Sequence, residues 1–144
     1  MSNNVATVNK IYKAFVKGDV STIMNYLSDN LEWEPWSDNY RYKEEMPWLK
    51  ERIGKEGALQ YFMIVGEFIF HDFRVLSVMG NESHVAAEIS FDAEIPATGG
   101  QLKKEEIHLW AFDEQGKVIR FRHFSDTARQ ITAVIADSQI HNPE

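Results

Sequence analysis

Glu105-Glu106-Ile107-His108-Leu109-Trp110-Ala111-Phe112, then Asp113-Glu114-Gln115-Gly116, then Lys117-Val118-Ile119-Arg120-Phe121-Arg122-His123-Phe124-Ser125-Asp126 form one continuous stretch. Two runs rich in aromatic and β-branched residues flank a short polar segment ending in glycine, which is the pattern of a β-hairpin. Gly116 supplies the positive φ of such a turn at no steric cost. A loop over Glu114, Gln115 and Gly116 with a glycine bulge pairs Asp113 with Lys117. Simple alternation from that pair puts Ile107, Leu109, Ala111, Ile119, Phe121 and His123 on one face. Glu106, His108, Trp110, Arg120, Arg122 and Phe124 take the other. An apolar wall holding one histidine describes a small-molecule pocket, and equally a core with one satisfied histidine.

Before the hairpin, residues 84–95 alternate cleanly. Val85, Ala87, Ile89, Phe91, Ala93 and Ile95 point one way, while Ala86, Glu88, Ser90, Asp92 and Glu94 point the other. A further strand is expected over 72–79, with turns at Gly80-Asn81 and at Pro96-Ala97-Thr98-Gly99-Gly100. At the start of the chain, Val5, Val8, Ile11, Tyr12 and Phe15 recur at helical spacing and predict a helix over 4–17, ended by Gly18. Asp19 caps a second helix whose apolar face is Val20, Ile23, Met24 and Leu27, and Ser28-Asp29-Asn30 breaks it. Residues 31–36 read as a strand with Pro35 at an edge or exit. Residues 37–53 are irregular and aromatic, in the manner of a lid or binding loop. Ala58, Leu59, Phe62, Val65 and Ile69 predict a third helix over 55–69. Ile131, Val134 and Ile135 predict a short closing helix over 127–138. Helix, helix, strand, helix and four meandering strands make one α+β domain over 1–144.

The chain has 144 residues, 44% hydrophobic and 26% charged, which is globular and large enough for a proper core. It contains no cysteine, so disulfides, thiolate nucleophiles and cysteine metal sites are excluded. A net charge of −7 argues against a nucleic-acid partner, whose phosphates require a basic footprint. Met1-Ser2-Asn3-Asn4 lacks the features of a secretion signal, and no apolar run approaches the roughly 20 residues of a membrane span. A soluble, cytoplasmic protein without membrane contact is the expectation.

Five segments carry a family resemblance: Phe15-Val16-Lys17-Gly18-Asp19-Val20, Leu31-Glu32-Trp33-Glu34-Pro35, Gly54-Lys55-Glu56-Gly57-Ala58-Leu59, Phe112-Asp113-Glu114-Gln115-Gly116-Lys117-Val118 and Ser125-Asp126-Thr127-Ala128. In that order, and over most of the chain, they resemble the nuclear transport factor 2-like superfamily. Within it they resemble the SnoaL-like branch, relatives of polyketide cyclases and of ketosteroid isomerase. The resemblance implies a curved antiparallel sheet wrapped by helices into a cone, a deep pocket in its mouth, and a homodimer. It does not fix an activity, because isomerases, hydrolases, cyclases, dehydratases and pure binding modules share this fold.

Glu34 stands before Pro35, where the ketosteroid isomerase pattern has its general-base aspartate. Desolvation between Trp33 and Trp36 would raise its basicity, and an exposed edge-strand glutamate is the plainer reading. Asp126 matches the terminal aspartate of the polyketide-cyclase pattern, where it acts as acid/base; it also suits a helix N-cap. The isomerase's tyrosine, counted back from Gly18-Asp19, falls nearer Ile11 than Tyr12. His123 titrates near neutrality and suits a proton shuttle or a core hydrogen bond. His108 and Arg122, expected as cross-strand neighbours, suit an anionic or carbonyl group, or a polar dimer surface with Glu106. Trp36, Tyr40, Trp48, Phe62 and Trp110 suit either an aromatic pocket lining or plain core. His71, His84, His108 and His123 lack close ligand spacing, so no metal is expected, and no cofactor. Together these residues point to a hydrophobic, cyclic or carbonyl-bearing small molecule. Glu34 or Asp126 would move the proton, and His123 would donate to a developing oxyanion. A non-catalytic ligand-binding or dimeric interaction module is the alternative.

Overall fold

A computed structural model describes residues 3–33, 48 and 51–124. Glu34, Trp36, Tyr40, Asp126 and the closing helix expected over 127–138 lie outside the described residues. Helical spacing of apolar residues produces α1 (Asn4–Val16), which buries Val8, Ile11, Tyr12 and Ala14. Asn4 anchors its start by donating from Nδ2 to the Glu82 carbonyl at 2.9 Å. Gly18, at φ 73°, turns the chain out of α1. Asp19 then caps α2 (Val20–Met24), accepting from the Thr22 amide at 3.2 Å.

Leu27, expected on the apolar face of the second helix, instead opens β1 (Leu27–Trp33). Ser28, Asp29 and Asn30 break the helical pattern and become the irregular middle of that strand, whose register shifts between Leu27 and Glu32. After β2 (Arg52–Ile53) comes α3 (Gly54–Val65), which buries Ala58, Phe62 and Val65. Gly66 ends it short of the expected boundary, so Ile69 opens β3 (Ile69–Gly80). β4 (His84–Ile95), β5 (Gly100–Phe112) and β6 (Val118–Phe124) complete the meander.

The six strands form one curved, unclosed sheet in the order β2-β1-β6-β5-β4-β3, and the fold is α+β. Neighbouring strands run antiparallel except β1 and β6, which run parallel, so the sheet is mixed at that junction. β4 buries every second residue from Val85 to Ile95, and this face carries the core. Among the described residues no helix is long and apolar enough to cross a membrane.

An aromatic lattice joins the sheet to the helices. Trp33 stacks on Phe121 at 4.3 Å between ring centres, Trp110 meets Phe121 at 4.6 Å, and Phe62 of α3 reaches Trp33 at 5.5 Å. Phe15 of α1 lies 5.1 Å from Phe73 of β3. Rings at these spacings gain from edge and offset contacts beyond their area burial. Trp33 sits at the centre of this lattice and is fully buried. Trp33→Ala is expected to lower unfolding free energy by about 3–5 kcal/mol in denaturant titrations. A loss below about 1 kcal/mol would show that the lattice is not the core's keystone.

Candidate functional site

The hairpin turn forms as its residues require. Asp113 donates its amide to the Lys117 carbonyl at 2.8 Å, and Gly116 takes φ 81°. Beyond it the register slips. Phe112 pairs with Val118 but Ala111 pairs with Arg120, so Ile119 is an extra residue on β6. One extra residue turns all that follows to the opposite face. His123 therefore pairs with His108 and Phe121 with Trp110, while Arg122 pairs with Leu109 and Phe124 with Ile107. This corrects the simple alternation, which set His108 beside Arg122 and put Phe121 and His123 on the other face.

The inner face of β5 carries Leu102, Lys104, Glu106, His108 and Trp110, every second residue. With His123 and Phe121 of β6 and Ile11, Tyr12 and Phe15 of α1 they line a cavity. Trp48 and Phe62 contribute to the aromatic wall, and the unfilled space is about 700 Å³, its open mouth included. Of the residues singled out from sequence, Trp48, Phe62, His108, Trp110 and His123 line this cavity. Arg122 lies on the opposite face, its guanidinium 4.9 Å from the centre of the Phe124 ring.

Five side chains on the cavity wall form a chain of polar contacts. Trp110 Nε1 donates to the Tyr12 hydroxyl at 3.1 Å, and that hydroxyl is 2.6 Å from His108 Nδ1. His108 Nε2 is 2.5 Å from Glu106 Oε2, and Lys104 Nζ is 3.6 Å from Glu106 Oε1. Burial pushes the Glu106 carboxyl up, but His108, His123 and Lys104 together outweigh it and hold the group down at about 2. An ionised carboxylate only accepts, so Nε2 of His108 bears the hydrogen facing it. Burial, reinforced by the nearby Glu106 charge, raises the Tyr12 hydroxyl well above its ordinary value despite the Trp110 hydrogen bond. Tyr12 thus stays protonated, and with a neutral imidazole its hydrogen goes to Nδ1. Both nitrogens of His108 are spent on protein partners, which makes His108 a positioned link rather than an open acid or base. Among the described residues no three histidine, aspartate or glutamate side chains are arranged to hold a metal ion.

Tyr12 and Lys104 are cavity residues that the sequence reading did not single out, and Glu106 was named there only for a polar dimer surface. That reading set Glu106 on the face of His108 and Trp110 but did not extend that face back to Lys104. Counting back in twos from Trp110 is the signal that puts Lys104 with them. Tyr12 read as one more residue of the apolar helical stripe.

The family model described as SnoaL-like domain matches residues 8–121. The chain is also similar to solved structures across nearly its whole length. A nuclear transport factor 2-like protein of unknown function from Burkholderia pseudomallei is 18% identical at a TM-score of 0.74, covering 93% of this chain and 98% of that one. TerC, co-crystallised with polyporic acid, is 15% identical at a TM-score of 0.71, covering 92% and 98%. A nuclear transport factor 2-like protein from Burkholderia thailandensis is 19% identical at a TM-score of 0.74, again covering 92% and 98%. No curated protein matches this chain.

Glu106 carries a pH signature. Its carboxyl is more acidic folded than at its ordinary value of 4.5, so its contribution to stability is full above that value and is lost as pH falls toward about 2. Unfolding midpoints measured between those limits should fall with pH in the parent chain. The fall should be shallower in Glu106→Gln; an identical slope would mean that Glu106 is not held by its neighbours.

Proposed function

The chain belongs to the SnoaL-like domain family, and from that premise we propose that it is a cofactor-independent acid/base enzyme acting on a hydrophobic, cyclic or carbonyl-bearing small molecule in this cavity. The observation that carries the reading is the Tyr12–His108–Glu106 chain built into an otherwise aromatic wall. Buried ionisable groups cost stability unless closely paired, and they concentrate where chemistry requires them. His123 is the proton carrier in this reading. It shares the inner face with His108, its ring centre 6.3 Å away, and an imidazole exchanges protons near neutrality. Glu106 is too acidic to serve as the base, and instead acts through His108 as a positioning residue. Glu34 or Asp126, argued from the resemblance as the group that moves the proton, is the proposed partner of His123. TerC, with its bound polyporic acid, supports a cyclic, oxygen-bearing ligand.

Native mass spectrometry of the purified chain identifies the molecule that the cavity retains. With that molecule or a cyclic ketone analogue, solvent deuterium should enter the carbon next to the carbonyl. His123→Ala should slow that exchange by about 10²- to 10⁴-fold. Retention of the ligand with no exchange in the parent chain would favour the non-catalytic binding module.

We also propose that the chain forms a homodimer through the outer face of the sheet. Ile107 and Phe124 are cross-strand partners, yet 41% and 43% exposed, and Ala86 and Leu109 adjoin them on that face. Arg120 and Arg122 flank this strip on one side and Glu88 and Glu105 on the other. A two-fold axis through the strip sets the basic side of one copy against the acidic side of the other. Light scattering should give a dimer for the parent chain and a monomer for Ile107→Glu. A parent monomer, or a dimer indifferent to this change, would reject the face.

A further inference from the structure

The acid/base reading leaves one buried group without a task. Lys104 follows the inner-face alternation of β5, two residues from Glu106 and four from His108, and lines the cavity. Its side chain is 3% exposed, and Nζ lies 5.9 Å from the centre of the Phe91 ring. Lysine is among the residues a core takes least often, and its amine is a nucleophile when deprotonated. Lys103, the preceding residue, is exposed and points to the other face.

We infer that Lys104 is a nucleophilic amine that forms an iminium with an aldehyde or ketone entering the cavity. This deepens the proposed function and rests on its reading that the cavity takes a carbonyl compound. The neutral Nζ attacks the carbonyl carbon, a C–N bond forms, and the oxygen takes up a proton. The nitrogen lone pair then expels that oxygen as water with a second proton, breaking the C–O bond. Overall an ammonium and a ketone give an iminium and water, and nothing is oxidised or reduced. Loss of a neighbouring C–H proton to His123 converts the iminium to an enamine, and water reverses the addition.

Two features of the site suit this step. Glu106 opposes deprotonation of the ammonium, but the iminium carries the same charge and regains the same ion pair once formed. The aromatic wall offers an apolar surface to the hydrocarbon part of such a carbonyl compound.

The test treats the full chain with 2-naphthaldehyde and sodium cyanoborohydride, which reduces an iminium in preference to an aldehyde, and maps the label by peptide mass. Lys104 should carry about tenfold or more label than Lys103, as a desolvated amine beside a counter-ion would. Lys104→Met and Lys104→Arg should both lose that label. The parent map decides by itself should either variant fail to fold. Label on Lys103 and other surface lysines with none on Lys104 overturns the inference. Tryptophan quenching by the aldehyde without label at Lys104 overturns the amine and leaves the acid/base reading standing. Neither quenching nor label at Lys104 overturns both.

Discussion

Between Val118 and Arg120, strand β6 carries one residue more than the stretch of β5 it faces, and Ile119 is the residue left over. Because side chains alternate along a strand, that single insertion decides the orientation of everything from Arg120 to Phe124. Without it, Phe121 and His123 would face outward and Arg120 and Arg122 would point at the helices. Burying two guanidinium groups against Trp33 and Trp110 would cost several kcal/mol each. Leaving Phe121 outside would forgo about 2 kcal/mol of burial. A local bulge is the cheaper solution, and it is driven by the packing that Phe121 makes with both tryptophans. The same slip aligns His123 with His108, so the constraint that completes the core also completes the site.

The polar stripe on β5 stands in a different relation to stability. Lys104, Glu106 and His108 occupy three successive inner-face positions that apolar residues of similar volume would fill at least as favourably. Their mutual contacts offset the cost of burial without making burial an advantage. The aromatic lattice supplies the cohesion, with contacts running from α1 through β3 and from α3 through β1 to β6. A fold that already holds together through its rings has no structural need of an ionised carboxylate within the wall. That asymmetry is the physical ground for treating Glu106, His108 and their partners as functional.

Local patterns were legible where local physics decides them. The alternation over 84–95 matches the buried face of β4, the stripe over 4–17 became α1, and Asp113 to Gly116 formed the turn that their types demand. The order of elements also carried the resemblance to the SnoaL-like branch. Non-local decisions were not legible. Leu27 leaves the second helix because β1 pairs in parallel with β6, whose sequence lies at the far end of the described chain. The bulge at Ile119 is set by the rings that Phe121 meets, not by the residues beside it. Glu106 was placed with His108 and Trp110 by alternation, but which face of the sheet the helices cover is a non-local fact, so that face read as a dimer surface and Lys104 was not reached. Glu34 and Asp126, argued from the resemblance, lie outside the described residues.

The division of the wall has a consequence for how activity can vary on this framework. Its rings come from several elements, so each is tied to packing that spans the molecule. Its ionisable groups come mainly from one strand, at positions two residues apart whose neighbours point away. Exchanging a side chain at 104 or 106 therefore changes the cavity's charge and proton-transfer capacity, whereas one at 108 also gives up the contact with Tyr12 of α1. A fold arranged this way constrains chemistry weakly, which is why architecture alone identifies no reaction. For this chain the discriminating features are a lysine and a carboxylate on one strand, a histidine locked between that carboxylate and a tyrosine, and a second histidine opposite.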